Sequence, residues 1–178
     1  MNSKFDFTRE AYDWVESALL AVACMLLIFT FAGRMVGIDG RSMENTLHHA
    51  DRVVSSRIAY TPAYGDIVVV TMPGIRRDPL IKRVIAVGGQ EIDIDFQLGI
   101  VYVDGEALDE PYTKEPTHNW FDMDFPQTVP QGHVFIMGDN RNNSLDSRST
   151  QVGMIDERYI LGRVFYRVMP YDQMGVPR

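Results

Sequence analysis

The chain has 178 residues, 46% of them apolar, which leaves room for one domain and a short hydrophobic segment. Its formal net charge of −7 argues against a nucleic-acid partner, because nothing in the chain would neutralise a row of phosphates. Cys24 is the only cysteine, so no intrachain disulfide is possible.

Residues 1–13 read as a short polar tail. From Ser17 to Gly33 the chain carries no charge, and Glu16 and Arg34 bracket this run. A spanning helix needs about 20 residues for a hydrocarbon core of ~30 Å. The run reaches that length when Arg34 snorkels and Met35 to Ile38 are counted with it. No polar stripe recurs at helical spacing, so residues 14–38 are expected to form a transmembrane anchor. A cleavable leader fits less well: Asp6, Glu10, Asp13 and Glu16 outnumber Lys4 and Arg9, and the exit is Arg34–Met35. The flanking charges do not set the orientation.

Residues 39–178 change texture to short β-rich runs. The runs 66–72, 81–87, 91–94, 99–105, 133–137 and 160–169 are each bounded by Gly, Pro, Asp or Asn. That spacing predicts a mainly β domain, a barrel or sandwich. One helix is expected near Met43–Ala50, with Ser42 as its N-cap.

Three clusters carry possible chemistry. Ser42 follows Gly40, which allows close backbone approach, although a serine beside a glycine is more often a turn residue. Lys82 shares a strand face with Leu80 and Val84, with Arg83 opposite. A lysine held against apolar neighbours is pushed toward its neutral form, which can act as a base; the alternative is a side chain that snorkels to water. The stretch 138–148, GDNRNNSLDSR, is a polar loop. It reads either as an Asx turn or as a support shell, in which Ser144 bonds the lysine amine and Asp146 pairs with Arg148. It lacks the acidic ladder and closing glutamate of an EF-hand. His48 and His49 are the rival bases for Ser42. Trp120, Phe121, Met123 and Phe125 form either an interfacial patch or part of a core.

Taken together, the stretches GRSMENTL (40–47), YGDIVVV (64–70), IKRVIAVGGQ (81–90), VYVDGEALDEPY (101–112) and GHVFIMGDNRNNSLDSR (132–148) resemble the signature boxes of bacterial type I signal peptidases. The resemblance runs from Val15 to Pro170. It implies a catalytic domain of two antiparallel β-sheets behind one N-terminal transmembrane helix. It implies a serine endopeptidase that removes signal peptides from secreted preproteins at Ala-X-Ala sites, without metal or cofactor. The enzyme would be a single-pass protein of the cell membrane, held in the lipid bilayer with its catalytic domain on the extracytoplasmic side. Ser42 would be the nucleophile and Lys82 the general base. Ser144 would orient the amine, Asp146 and Arg148 would form the supporting pair, and Gly138 would lie close to the dyad. The backbone N–H of Ser42 would stabilise the oxyanion. Ile38, Met43, Val69 and Ile81 would line the pockets for small side chains. Two departures stand out: Asn45 replaces a frequent proline, and Gly40 replaces a serine that contributes its hydroxyl to the oxyanion hole in some members. Endoplasmic-reticulum relatives carry histidine at the position of Lys82. A self-cleaving repressor would need a DNA-binding segment in place of the anchor. The remaining alternative is a specialised or chaperone-like homologue in pilus or surface-protein assembly.

Overall fold

Where apolar residues run unbroken or alternate, the chain forms strands, and the burial of each strand follows its pattern. The computed structural model describes residues 7–31, 33–74 and 78–177. The chain divides into two units, Met1–Arg34 and Met35–Arg178.

The first unit is built on one helix, α1 (Phe7–Phe31). Its side chains Trp14, Leu19, Leu20, Val22 and Met25 are exposed. Among the described residues no helix is long and apolar enough to cross a membrane. The helix starts within the stretch expected as a polar tail, of which residues 1–6 lie outside the described residues. It also ends earlier than the apolar pattern suggested. Arg34–Gly37 is a strand, and Ile38 is buried in the core of the second unit. The tertiary demand for an apolar residue at Ile38 explains why MVGI looked like more of the helix.

In the second unit, the described residues form two antiparallel sheets. The larger has the order β1 (Arg34–Gly37), β2 (Arg52–Ser56), β11 (Ile160–Met169), β3 (Ile67–Val70), β4 (Leu80–Val87), β9 (His133–Met137) and β10 (Ile155–Asp156). The smaller has the order β7 (Glu106–Ala107), β6 (Ile100–Val103), β5 (Glu91–Asp95) and β8 (Gln127–Thr128). All six runs expected as strands are strands.

The central strands β3 and β4 are buried on both faces, which is why they read as continuous apolar runs. β5 alternates glutamate and aspartate outward with Ile92 and Ile94 inward, the period-two pattern of a sheet with one wet face. β6 and β7 meet through Asp104–Gly105, both at positive φ, a two-residue turn for which this pair is suited.

Strand β4 organises the interior. Leu80 and Val84 join a cluster with Val68, Val70 and Ile136. Ile81 joins Ile38, Met43, Val69 and Val53. Ile85 and Ala86 join Ile92, Val101 and Phe135 and bind the smaller sheet to the larger. Packing on both faces holds β4 fixed, and with it two charged residues, Lys82 and Arg83.

The expected helix near Met43–Ala50 is instead a turn. Only isolated turn bonds form, such as Leu47 N–H to Met43 O at 2.8 Å. Thr46 donates to Asp139, and Glu44 is drawn to Lys114; these tertiary partners outcompete a local helix. The aromatic stretch is mostly interior. Phe125 packs edge-on against Phe96 and Phe135, Met123 joins the same core, and Phe121 lies under the Arg148 guanidinium. Trp120 stays exposed.

Candidate functional site

Strand β4 carries Lys82 opposite Val68 of β3, on the face shared with Leu80 and Val84. The side chain is only 3% exposed. Its Nζ donates to Ser42 Oγ at 2.7 Å and to the Ile81 carbonyl at 3.0 Å. Ser42 lies in the turn that follows Gly40, which adopts a φ of 102°. The turn includes a cis peptide between Glu44 and Asn45.

The fold thus brings a hydroxyl and an amine 40 positions apart in sequence into hydrogen-bond contact. The histidines do not compete for the serine. His49 Nδ1 sits 3.3 Å from both the Gly40 N–H and an Asp39 carboxylate oxygen, and His48 is exposed.

The cleft beside the pair has a volume of about 350 Å³. Ile38, Met43, Leu80, Ile81 and Leu145 give it an apolar lining, and Ser42 and Lys82 open into it. Of the four expected pocket residues, Ile38, Met43 and Ile81 line the cleft. Val69 lies behind them, fully buried and packed in the same cluster.

Behind the cleft lies the loop 138–148. Asp146 and Arg148 are both wholly buried and pair at 2.8 Å. The carboxylate also accepts the Gly138 N–H at 3.0 Å, and the guanidinium donates to the carbonyls of Asn119 and Arg141. The pair thus ties three chain segments together. At Gly138 a Cβ would come within 2.5 Å of the Ser42 carbonyl oxygen and closer still to Ser144 Oγ. Only glycine lets the loop approach the serine this closely.

Ser144 is buried, and its Oγ has no hydrogen-bond partner among the described residues. The bond to Lys82 that the resemblance implied is not formed in this structure.

Several residues beneath the site escaped the sequence reading. Arg83, on the opposite face from Lys82, forms a two-pronged pair with Asp139 at 2.8 and 2.7 Å. The Tyr112 ring covers that guanidinium at 3.9 Å, and burial pushes the phenol's pKa up. Arg141 forks onto Glu110 and also donates to Thr117. Glu44 bridges Arg41 and Lys114 at 2.8 Å each; the hydrogen bond from Lys114, then that from Arg41, holds its carboxyl down to about 2. One signal for the first pair was present. An arginine on a strand buried on both faces needs a carboxylate, and the polar loop offered Asp139.

The sequence matches the family described as signal peptidase, peptidase S26, over residues 11–169. A probable signal peptidase I-1 of Synechocystis is 36% identical, covering 97% of this chain and 88% of the relative. Signal peptidase I S of Bacillus subtilis is 33% identical and signal peptidase IB of Staphylococcus aureus 30%, each over 93% of both chains. A crystal structure of a signal peptidase I from Enterococcus faecalis aligns with 58% of this chain and 97% of its own, at 26% identity and a TM-score of 0.46.

Proposed function

We infer the chemistry of this protein from one premise: the chain belongs to the signal peptidase family, peptidase S26. It is a serine endopeptidase that removes signal peptides from preproteins. The proposal concerns how it does so. Ser42 is the nucleophile and Lys82 the general base, and the observation that carries this reading is the 2.7 Å approach of Nζ to Oγ.

In the first step, Ser42 Oγ attacks the scissile carbonyl while the neutral Lys82 amine takes the hydroxyl proton. The carbonyl oxygen gains the negative charge, which the Ser42 N–H stabilises. Collapse of this intermediate breaks the C–N bond, and Lys82 gives its proton to the departing amine. The acyl group remains on Ser42. A water molecule, deprotonated by the same amine, then adds to the acyl carbon. The ester C–O bond breaks, Lys82 returns its proton to Ser42 Oγ, and the acyl group leaves as a free acid that ionises to the carboxylate.

The apolar cleft lined by Ile38, Met43 and Ile81 accepts the small side chains before the cut, consistent with an Ala-X-Ala site. Val69 backs that wall. Asp146, Arg148 and Gly138 fix the position of the loop against the dyad, and Ser144 acts as a polar neighbour of the amine. The uncharged run Ser17–Gly33 anchors the chain in the lipid bilayer, with the catalytic unit on the extracytoplasmic side; the exposed apolar side chains of α1 support this reading. A chaperone-like role would give the serine and the lysine no reason to meet.

The test is cleavage of a preprotein with an Ala-X-Ala site by the full chain in detergent, beside Ser42→Ala and Lys82→Ala. Both variants should be inactive. Carbonate extraction of cell membranes tests the anchor: the protein should stay in the pellet, and its release would remove the anchor from the proposal.

A further inference from the structure

The carbonyls on both sides of the Ser42 peptide N–H and Cα are held by one residue. Asn140 Nδ2 donates to the Arg41 carbonyl at 3.0 Å, closer than the Glu44 N–H that also reaches it at 3.3 Å, and the Asn140 backbone N–H donates to the Ser42 carbonyl at 3.0 Å. We propose that Asn140 is a positioning residue that aims the Ser42 N–H at the oxyanion. The inference deepens the mechanism above and rests on Ser42 being the nucleophile.

The argument is geometric. A trans peptide is planar, with its C=O and N–H pointing in opposite directions. The Arg41 carbonyl and the Ser42 N–H belong to the same peptide unit. Fixing the direction of one therefore fixes the direction of the other. The second bond, to the Ser42 carbonyl, fixes the next peptide plane and removes the remaining freedom of the serine backbone. The Ser42 N–H itself bonds to no other described residue, so it is available for a substrate oxygen.

Asn140 is well placed to impose this order. It is 3% exposed, and its two neighbours in sequence are locked, Asp139 by Arg83 and Arg141 by Glu110. The two ion pairs hold the asparagine backbone from both sides, so its side chain reaches the turn from a rigid base. Gly40 brings no side-chain donor to the turn. The charge that develops on the oxyanion then depends more heavily on one N–H, and its aim matters more.

The role is specific to the transition state. Ground-state binding of the peptide uses the apolar cleft, whereas the oxyanion forms only as Ser42 attacks. Misaiming the N–H should lower kcat and leave KM nearly unchanged.

Asn140→Asp keeps the shape and loses the donor; Asn140→Ala loses the donor without adding a charge. The probes are a peptide aldehyde ending in an Ala-X-Ala sequence and the matching peptide alcohol, which carries CH2OH in place of the terminal aldehyde carbonyl. With the aldehyde, Ser42 Oγ adds to the carbonyl carbon, its proton passes to Lys82, and the former carbonyl oxygen becomes the oxyanion. Calorimetry on the full chain in detergent micelles measures both affinities, and only the binding-competent fraction contributes to their ratio. The wild type should prefer the aldehyde. In both Asn140 variants that preference, and kcat with it, should fall by about 10- to 100-fold, somewhat less than loss of a whole oxyanion donor. The alcohol should bind within about threefold of wild type.

An unchanged aldehyde-to-alcohol ratio in both variants would overturn the proposal, as would an equal loss of both affinities. Ser42→Ala separates the two levels of the argument. If it keeps the aldehyde preference, the nucleophile assignment itself is wrong. If it loses the preference while the Asn140 variants keep theirs, only the positioning role of Asn140 is wrong.

Discussion

The cleft around Ser42 and Lys82 and the ionic frame behind it are built on opposite rules. In the frame, Arg83, Arg141 and Arg148 each meet a carboxylate and further acceptors, so every charge is saturated. In the cleft, the lysine donates to a hydroxyl and to a backbone carbonyl, and the buried Ser144 hydroxyl has no hydrogen-bond partner among the described residues. A paired charge is fixed in one ionisation state and one place, which suits a scaffold. A base must change its ionisation state during the reaction, which the neutral hydroxyl and carbonyl contacts of Lys82 permit. The sparse cleft depends on the saturated frame to hold its few groups in register.

The comparison is broken most severely by opening the frame. Arg148→Ala leaves the Asp146 carboxylate buried and unpaired, and should destabilise the fold by roughly 3–5 kcal/mol. Replacing the pair by Asp146→Leu and Arg148→Met together should cost less than the single change. Urea unfolding of the two variants and the wild type checks this; equal stability of the single variant and the wild type would show that the pair is not structural.

A smaller effect should come from closing the gap between the two regions. Gly138→Ala puts a methyl group against the Ser42 carbonyl oxygen, 2.5 Å away without relaxation. The fold should survive with a loss of about 1–3 kcal/mol. Displacing the nucleophile by close to 1 Å should reduce kcat on the order of 100-fold. A fully active Gly138→Ala protein would mean that the loop is free to retreat from the serine.

The smallest effect concerns Glu44, at the edge of the frame. Its carboxyl is depressed to about 2 by Lys114 and Arg41, so its folded-state value lies below its unfolded one. The stability that it contributes is therefore fully present above its unfolded value of about 4.3 and is lost as pH falls toward about 2. Glu44→Gln should lower the urea midpoint slightly at pH 6, and the gap from wild type should shrink at pH 3. A gap that widens in acid would contradict the assignment.

The legibility of the sequence follows the same division. The β-rich core could be read directly, because runs such as IVVV and the alternation of EIDID report burial along a strand. The pieces that escaped were β7, β8 and β10, each two residues long, and β1 and β2, whose apolar residues are few or lie beside the helix. The helix expected after Ser42 failed because Glu44 and Thr46 take partners far away in sequence. Ser42 and Lys82, taken singly, had ordinary explanations, and it was the order of motifs that linked them. Within the frame, the Asp146–Arg148 pair could be read from the polar loop, and the other two pairs were the least legible part. For Arg83 the apolar strand showed that a carboxylate was needed but not which one, and for Arg141 with Glu110 neither periodicity nor composition recorded the pairing.

The most direct test of the account is cleavage of a preprotein with an Ala-X-Ala site, measured from pH 6 to pH 9 with wild type, Ser42→Ala and Lys82→Ala. The account predicts wild-type activity that rises toward alkaline pH, since the neutral amine is the reacting form. It predicts a loss of at least about 1000-fold in both folded variants, because nucleophile and base act as one unit. A Lys82→Ala protein that retains cleavage would contradict the lysine-base mechanism.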